Sequence, residues 1–337
     1  MKILVIDDKA KETDHPRSNL LKVLEEREGI TYDLIMPDAT QLKRKLAKSE
    51  TGEYDLIIVD YMFDKPTSLF KTGTSLYSVI RSYTENTPIY LISVKRSPTN
   101  QIGDFELFIG NKFLENHTAC KADIESHTAL KMCRSVEGFL RLIQCPEDIK
   151  EDIEILIKPT LSKSDLGEVV NGDHIPPREL NNSLNLRLFS WLARSLLRKE
   201  GPLVSSSGAA ALLGVSLEYF ERISGEFNDA LYKGIFNQSF DKRWWSISLE
   251  DNIYTRNDPE KYLENRPFKE AAAKLLHAKE DDLSSCAVCD QHYPDSLGIV
   301  AGEAQHELHP VHVTCSLFDD TLPKEPFFRN PRIIEIS

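Results

Sequence analysis

Four short apolar runs, each ending in a residue able to do chemistry, constrain this chain more than any other feature. Lys2–Asp8 reads KILVIDD, Tyr54–Asp60 reads YDLIIVD, Pro88–Ser93 reads PIYLIS and Ile153–Pro159 reads IEILIKP. Such runs suit strands buried on both faces of a parallel sheet. Tyr32–Ile35 reads as one more short strand. Between the strands lie helical stripes: Leu20, Leu21 and Leu24, then Leu42 and Leu46, then Leu76, Val79, Ile80 and Tyr83. Alternation of strand and helix predicts an α/β unit, a doubly wound parallel sheet with helices on both faces. Ligands of such sheets bind beyond the C-terminal strand ends, at a topological switch point. Asp7, Asp8, Asp60 and Ser93 would all lie there.

Those residue types fit phosphoryl transfer to a carboxylate. Asp60 is the candidate nucleophile. Asp7 and Asp8 would supply acidic ligands to Mg²⁺, together with Asp60, and the Met62 carbonyl is a further candidate. Lys158 is placed to pair with a phosphoryl oxygen, and Ser93 offers a hydroxyl that could sense the group. A bland reading exists for each acid taken singly, because an Asp at a strand end is often only a turn former or a helix cap. The combination in this order is what carries the functional reading.

This part of the chain resembles the receiver domain of bacterial response regulators. The matching residues are KILVIDD, YDLIIVDYM, Gly73 in KTGTSL, PIYLIS and ILIKPTLSKSDL, and the resemblance covers about the first 170 residues. It implies that Asp60 accepts a phosphoryl group from a histidine kinase or a histidine phosphotransfer protein, using Mg²⁺; the expected enzymatic activity is at most self-phosphorylation and dephosphorylation of Asp60. Three departures stand out. Ser93 and Lys158 are separated by a much longer stretch than in a typical receiver, Ile155 stands where the family often has an aromatic switch, and the loop before Gly73 is long. The long stretch makes Lys95 and Lys112 competitors of Lys158.

The 337 residues carry a formal charge of −12, which argues against broad attraction to nucleic acid or anionic membranes. No apolar run approaches a membrane span, and the first ten residues read as a strand rather than a leader. The expected organisation is a receiver-like, flavodoxin-type domain over 1–172 with an insertion at about 96–150, a helical module over 178–278 and a zinc-binding module over 279–337. Within the insertion, Ile124, Leu130, Cys133, Val136, Leu140 and Ile143 predict a long helix ending before Pro146. SKSDLGEVV, with Ser162 or Ser164 as cap, predicts a closing helix, and GDHIPP (172–177) a linker.

Cys286 and Cys289 in CAVC are followed, after twenty-two residues, by His312 and Cys315 in HPVHVTC. Thiolates and imidazole at this spacing suit tetrahedral Zn²⁺, in a closed structural site resembling a treble-clef finger. His306 and His309 are alternative ligands. An HNH-type nuclease would also need them, but no HNH-like sequence accompanies them. In a chain expected to be cytoplasmic, clustered Cys and His suggest metal binding more than disulfides. In the middle, SGAAALLGVSLEYFERI resembles a helix-turn-helix, yet its second helix carries Glu218 and Glu221 against Arg222 alone. Nucleic acid is therefore disfavoured as a partner. KRWW (242–245) reads as a core or interface anchor. The sequence thus predicts an atypical response regulator acting through a protein effector. The alternatives are a DNA-binding regulator, or a receiver-like adaptor that is not phosphorylated, of the kind found in multi-gene defence systems.

Overall fold

The computed structural model describes residues 1–9, 25–26, 29–49, 54–63, 70–84, 86–93, 105–109, 128–144, 156–157, 184–256, 266–301, 308–318 and 330–335. The chain divides into two compact units. One comprises 1–146, 175–194 and 238–240; the other comprises 147–174, 195–237 and 241–337.

The first unit is built on five parallel strands: β1 (Lys2–Ile6), β2 (Thr31–Ile35), β3 (Leu56–Asp60), β4 (Ile89–Ile92) and β5 (Leu107–Ile109), in the order β2-β1-β3-β4-β5. This is the flavodoxin-like, receiver-like order of a doubly wound sheet. Successive side chains on a strand point to opposite faces, and both faces are covered. Leu4, Ile6, Ile57, Val59, Ile89 and Leu91 pack on one side with Leu42 and Leu46 of helix α1 (Ala39–Ser49) and Ile80 of α2 (Tyr77–Arg81). On the other side Tyr90 stacks on Phe189 of α4 (Leu184–Trp191) and bonds Ser135 of α3 (Thr128–Gln144), hydroxyl to hydroxyl at 2.6 Å.

The edge of the sheet departs from expectation. Of IEILIKP, Leu156 and Ile157 are described, and neither is in the sheet. Leu156 and Ile157 are helical, buried and part of the second unit. The fifth strand is Leu107–Ile109, from inside the segment read as an insertion. Short β-branched runs are ambiguous between strand and helix, and tertiary partners decide. Here the Leu156 carbonyl accepts from the Ile235 N–H at 2.8 Å. Entry into β5 is fixed by a buried ion pair: Arg81 donates to Glu106 at 2.5 Å, and Glu106 also accepts the Ile89 N–H at 2.6 Å. The predicted helix at Leu20–Leu24, the closing helix and the 172–177 linker lie outside the described residues.

The second unit holds a helical core and a small sheet. Helix α5 (Ser206–Leu213) starts at Ser205, whose hydroxyl accepts the Gly208 N–H, and stops at Gly214 in the left-handed region. Helix α6 (Leu217–Ile223) follows, capped by Ser216. With α7 (Ser246–Tyr254) and α8 (Phe268–Leu275) they enclose Phe220, Phe227 and Trp244. Trp244–Trp245 is a strand, β7, paired with β6 (Leu203–Val204), and both tryptophans are buried. The exposed positions of α6 are Glu218, Glu221 and Arg222, and Arg222 is tied to Asp282 at 2.5 Å. Beyond α8, β8 (Ser296–Val300) lies between β9 (His309–Val311), antiparallel, and β10 (Arg332–Ile334), parallel. Among the described residues no helix is long and apolar enough to cross a membrane.

Candidate functional site

Strand register brings the acids together. Ile6 pairs with Val59, and Asp60 with Ile92, so Asp7 continues beside Asp60, and Ser93 follows one position further along β4. The chain runs from β1 outward to β2 and then crosses to β3 on the other side of β1. The gap between β1 and β3 is therefore the switch point of the sheet. Carboxylate oxygens of Asp7, Asp8 and Asp60 lie within 4.8 Å of one another there. All three acids and Ser93 are at most 5% exposed.

Backbone contacts hold this edge. Asp7 donates its N–H to the Ile35 carbonyl at 3.0 Å, and its side chain accepts the Lys9 N–H at 2.8 Å, a turn that orients the carboxylate. Tyr61, after Asp60, donates to the Ile92 carbonyl and accepts from the Gly73 N–H, each at 2.8 Å. Gly73 approaches so closely that a Cβ on it would sit 2.0 Å from the Asp60 carbonyl oxygen. Only glycine fits, which gives a physical role to the glycine of KTGTSL. Met62, the candidate carbonyl ligand, bridges to Thr72 in the same loop.

Three buried carboxylates concentrate negative charge, and oxygen-only donors match a hard divalent cation. The residues present thus fit Mg²⁺. Lys158, Lys95 and Lys112 lie outside the described residues. Among the described residues the segment expected to carry Lys158 contributes no strand to the sheet, whereas Lys112 follows the end of β5 in sequence by three residues.

The other cluster lies in the second unit. Ligand atoms of Cys286, Cys289, His312 and Cys315 also fall within 4.8 Å of one another. His309 sits on β9, paired with Gly298, outside that group, and His306 lies outside the described residues. Burial pushes the Cys286 thiol up, but the backbone N–H groups of Cys289, His312 and Val288 directed at its sulfur outweigh this and bring it down to about 6. Cys315 is pushed up, chiefly by its hydrogen bond with the Cys289 thiol.

No protein-family model matches the chain, and no curated protein matches it. Among solved structures it is similar to the receiver domain of the Francisella response regulator 1452. That match has 24% identity and a TM-score of 0.23, and covers 33% of this chain and 84% of that one. RcsB of Salmonella enterica serovar Typhimurium, bound to promoter rprA with phosphomimetic BeF3⁻, matches at 19% identity and a TM-score of 0.28, over 46% of this chain and 66% of RcsB. An S207C RcsB structure from Salmonella typhimurium matches at 16% and 0.29, over 58% and 90%. The receiver-like fold of the first unit follows from its strand order and register.

Proposed function

We propose that the first unit is a response-regulator receiver that accepts a phosphoryl group on Asp60. The carrying observation is the convergence of Asp7, Asp8 and Asp60 within 4.8 Å, buried, at the switch point of the parallel sheet. Asp7, Asp8 and Asp60 would hold the cation. Mg²⁺, when bound, offsets charge between carboxylate and phosphoryl oxygens. An Asp60 oxygen attacks phosphorus; the bond from phosphorus to the donor breaks, and its electron pair leaves with the donor, a histidine kinase or phosphotransfer protein. The Ser93 hydroxyl, level with Tyr61 at the next strand end, donates to a phosphoryl oxygen. A lysine completes the charge balance. Chain position favours Lys112 over Lys158.

The output we assign to protein contact. Tyr90, three residues before Ser93, is bonded to α3 and stacked on α4, so a shift at the end of β4 is felt by both helices. One of the RcsB structures is of that protein bound to promoter rprA. In this chain the exposed positions of α6 carry two glutamates and an arginine already paired with Asp282, which disfavours phosphate contact.

Incubation with Mg²⁺ and a small phosphodonor, followed by intact mass spectrometry, tests the proposal. The wild type should gain one phosphoryl mass, Asp60→Asn none, and Lys112→Ala should gain it more slowly than Lys158→Ala. No gain in the wild type would leave the adaptor reading, in which the unit acts by contact alone.

A further inference from the structure

We propose that Cys286, Cys289 and Cys315 through their sulfurs, and His312 through Nδ1, hold one Zn²⁺ as a closed structural site. We further propose that Asp295 and Arg332 position the turn carrying the last two ligands. This inference is independent of the acidic pocket.

The two halves come from separate elements that fold toward each other. The first half is a tight knuckle: Asp290 donates its N–H to the Cys286 carbonyl at 3.0 Å, and Cys286 donates to the Gln291 carbonyl at 2.9 Å. Asp290 adopts a positive φ of 62° to close it. The second half is the short turn Val313–Cys315 after β9, in which the Cys315 N–H bonds the His312 carbonyl at 2.9 Å. The halves meet at several contacts, including the Ala287 N–H on the Pro310 carbonyl at 2.9 Å. Cys289 Sγ lies 3.4 Å from His312 Nδ1, and the His312 N–H donates to Cys286 Sγ at 3.4 Å.

The spacing matches a tetrahedral ion. Bond lengths of about 2.3 Å to sulfur and about 2.05 Å to nitrogen give an edge of about 3.6 Å between adjacent ligand atoms. The observed 3.4 Å between Cys289 and His312 is close to that edge. It also assigns the imidazole nitrogen, since Nδ1 faces the thiols. Four protein ligands leave no position for water, so the site is structural rather than catalytic. Ordinary thiol packing does not explain it, because Cys289 is exposed. Among the described residues the local core of buried apolar side chains is Cys286, Val311 and Ile334, and three strands of three to five residues rest on it. A metal crosslink supplies what so small a core lacks.

Side chains beyond the four ligands fix the second half. Asp295 accepts the Val313 N–H at 2.7 Å. From β10, Arg332 donates to the Ser316 hydroxyl at 2.6 Å and to the carbonyls of Ser316 at 3.0 Å and Val313 at 3.3 Å. The Ser316 hydroxyl in turn donates to the His312 carbonyl at 2.9 Å. Arg332 and Asp295 thus grip both ends of the turn that aims His312 and Cys315. Groups in such positions typically contribute 10–100-fold to metal affinity.

The full-length chain, purified without chelator, should carry one zinc by elemental analysis. Co²⁺ added to the stripped wild-type chain should give intense tetrahedral d–d and sulfur-to-metal bands. Cys289→Ser, which removes one of the three proposed sulfur ligands, should lose roughly one third of the sulfur-to-metal intensity. Arg332→Gln and Asp295→Asn should keep one metal per chain and weaken affinity by about 10–100-fold. Absence of zinc together with a pale octahedral Co²⁺ spectrum in the wild type overturns the site. Wild-type metal content with unchanged affinity in both Arg332→Gln and Asp295→Asn overturns the positioning role alone.

Discussion

Replacing Asp8 with asparagine should stabilise the metal-free protein, although it removes a buried side chain's charge at the centre of the proposed site. Asp8 is 2% exposed, and its carboxylate oxygen lies within 4.8 Å of those of Asp7 and Asp60. Two unit charges 4.8 Å apart repel by about 3.5 kcal/mol at an effective dielectric constant near 20. Asp8 faces two such neighbours, and solvent and side-chain rearrangement relieve part of the cost. A gain of about 1–3 kcal/mol in chelator is the expectation from that repulsion. Asparagine keeps the shape, so packing adds little. Mg²⁺ at about 100 times its dissociation constant would stabilise the wild type by about 2.7 kcal/mol, and Asp8→Asn by much less, so the order of stabilities narrows or inverts on adding metal. The assay is urea unfolding followed by amide exchange in peptides covering β1 and β3, with EDTA and with Mg²⁺. Destabilisation by Asp8→Asn in EDTA, or equal Mg²⁺ stabilisation of both proteins, would refute the reasoning that these acids form a cation site.

Gly73→Ala would place a Cβ 2.0 Å from the Asp60 carbonyl oxygen. It should cost about 1–3 kcal/mol and, by displacing the end of β3 by about 1 Å, slow Asp60 phosphorylation about 10²-fold; urea unfolding and phosphorylation time courses check both. Arg81→Ala leaves Glu106, 2% exposed, without its guanidinium partner, at an expected cost of about 3–5 kcal/mol, while the double change Arg81→Leu with Glu106→Leu should be far milder; chemical denaturation of both variants tests this. At Asp33, partial burial pushes the carboxyl up, but hydrogen bonds from Tyr54 and Lys45 outweigh it and hold the group below the ordinary aspartate value. Its stabilisation is then present above about pH 4 and lost as pH falls through the lowered value. Asp33→Asn should flatten that acid limb of the stability–pH curve and leave the neutral side lower.

The acids were legible in the sequence because each closes a buried strand, and parallel strands deliver their C-terminal ends to one edge. β1, β3 and β4 were clear for the same reason: runs of Ile, Val and Leu too short to bury a helix. β5 was hidden, since Leu107-Phe108-Ile109 is three residues long and lies inside a polar stretch. IEILIKP misled because composition alone cannot show that Leu156 would bond Ile235 in another unit. The packing of α4 on Tyr90 joins residues about a hundred positions apart, a contact no local pattern encodes. At the thiol cluster the four proposed ligands announced themselves by spacing, but Asp295 and Arg332 did not. A lone acid in a loop and a lone arginine on a strand carry no signal until the turn they grip is seen.

The claim at the centre is that Asp60 is the phosphoacceptor. Borohydride reduction of protein treated with Mg²⁺ and a small phosphodonor converts an acyl phosphate to homoserine, which peptide mass spectrometry can place in the sequence. The pocket geometry predicts homoserine at position 60, dependent on Mg²⁺ and absent from Asp60→Asn. Reduction at another acid, or none at all in the Mg²⁺-loaded wild type, would contradict it.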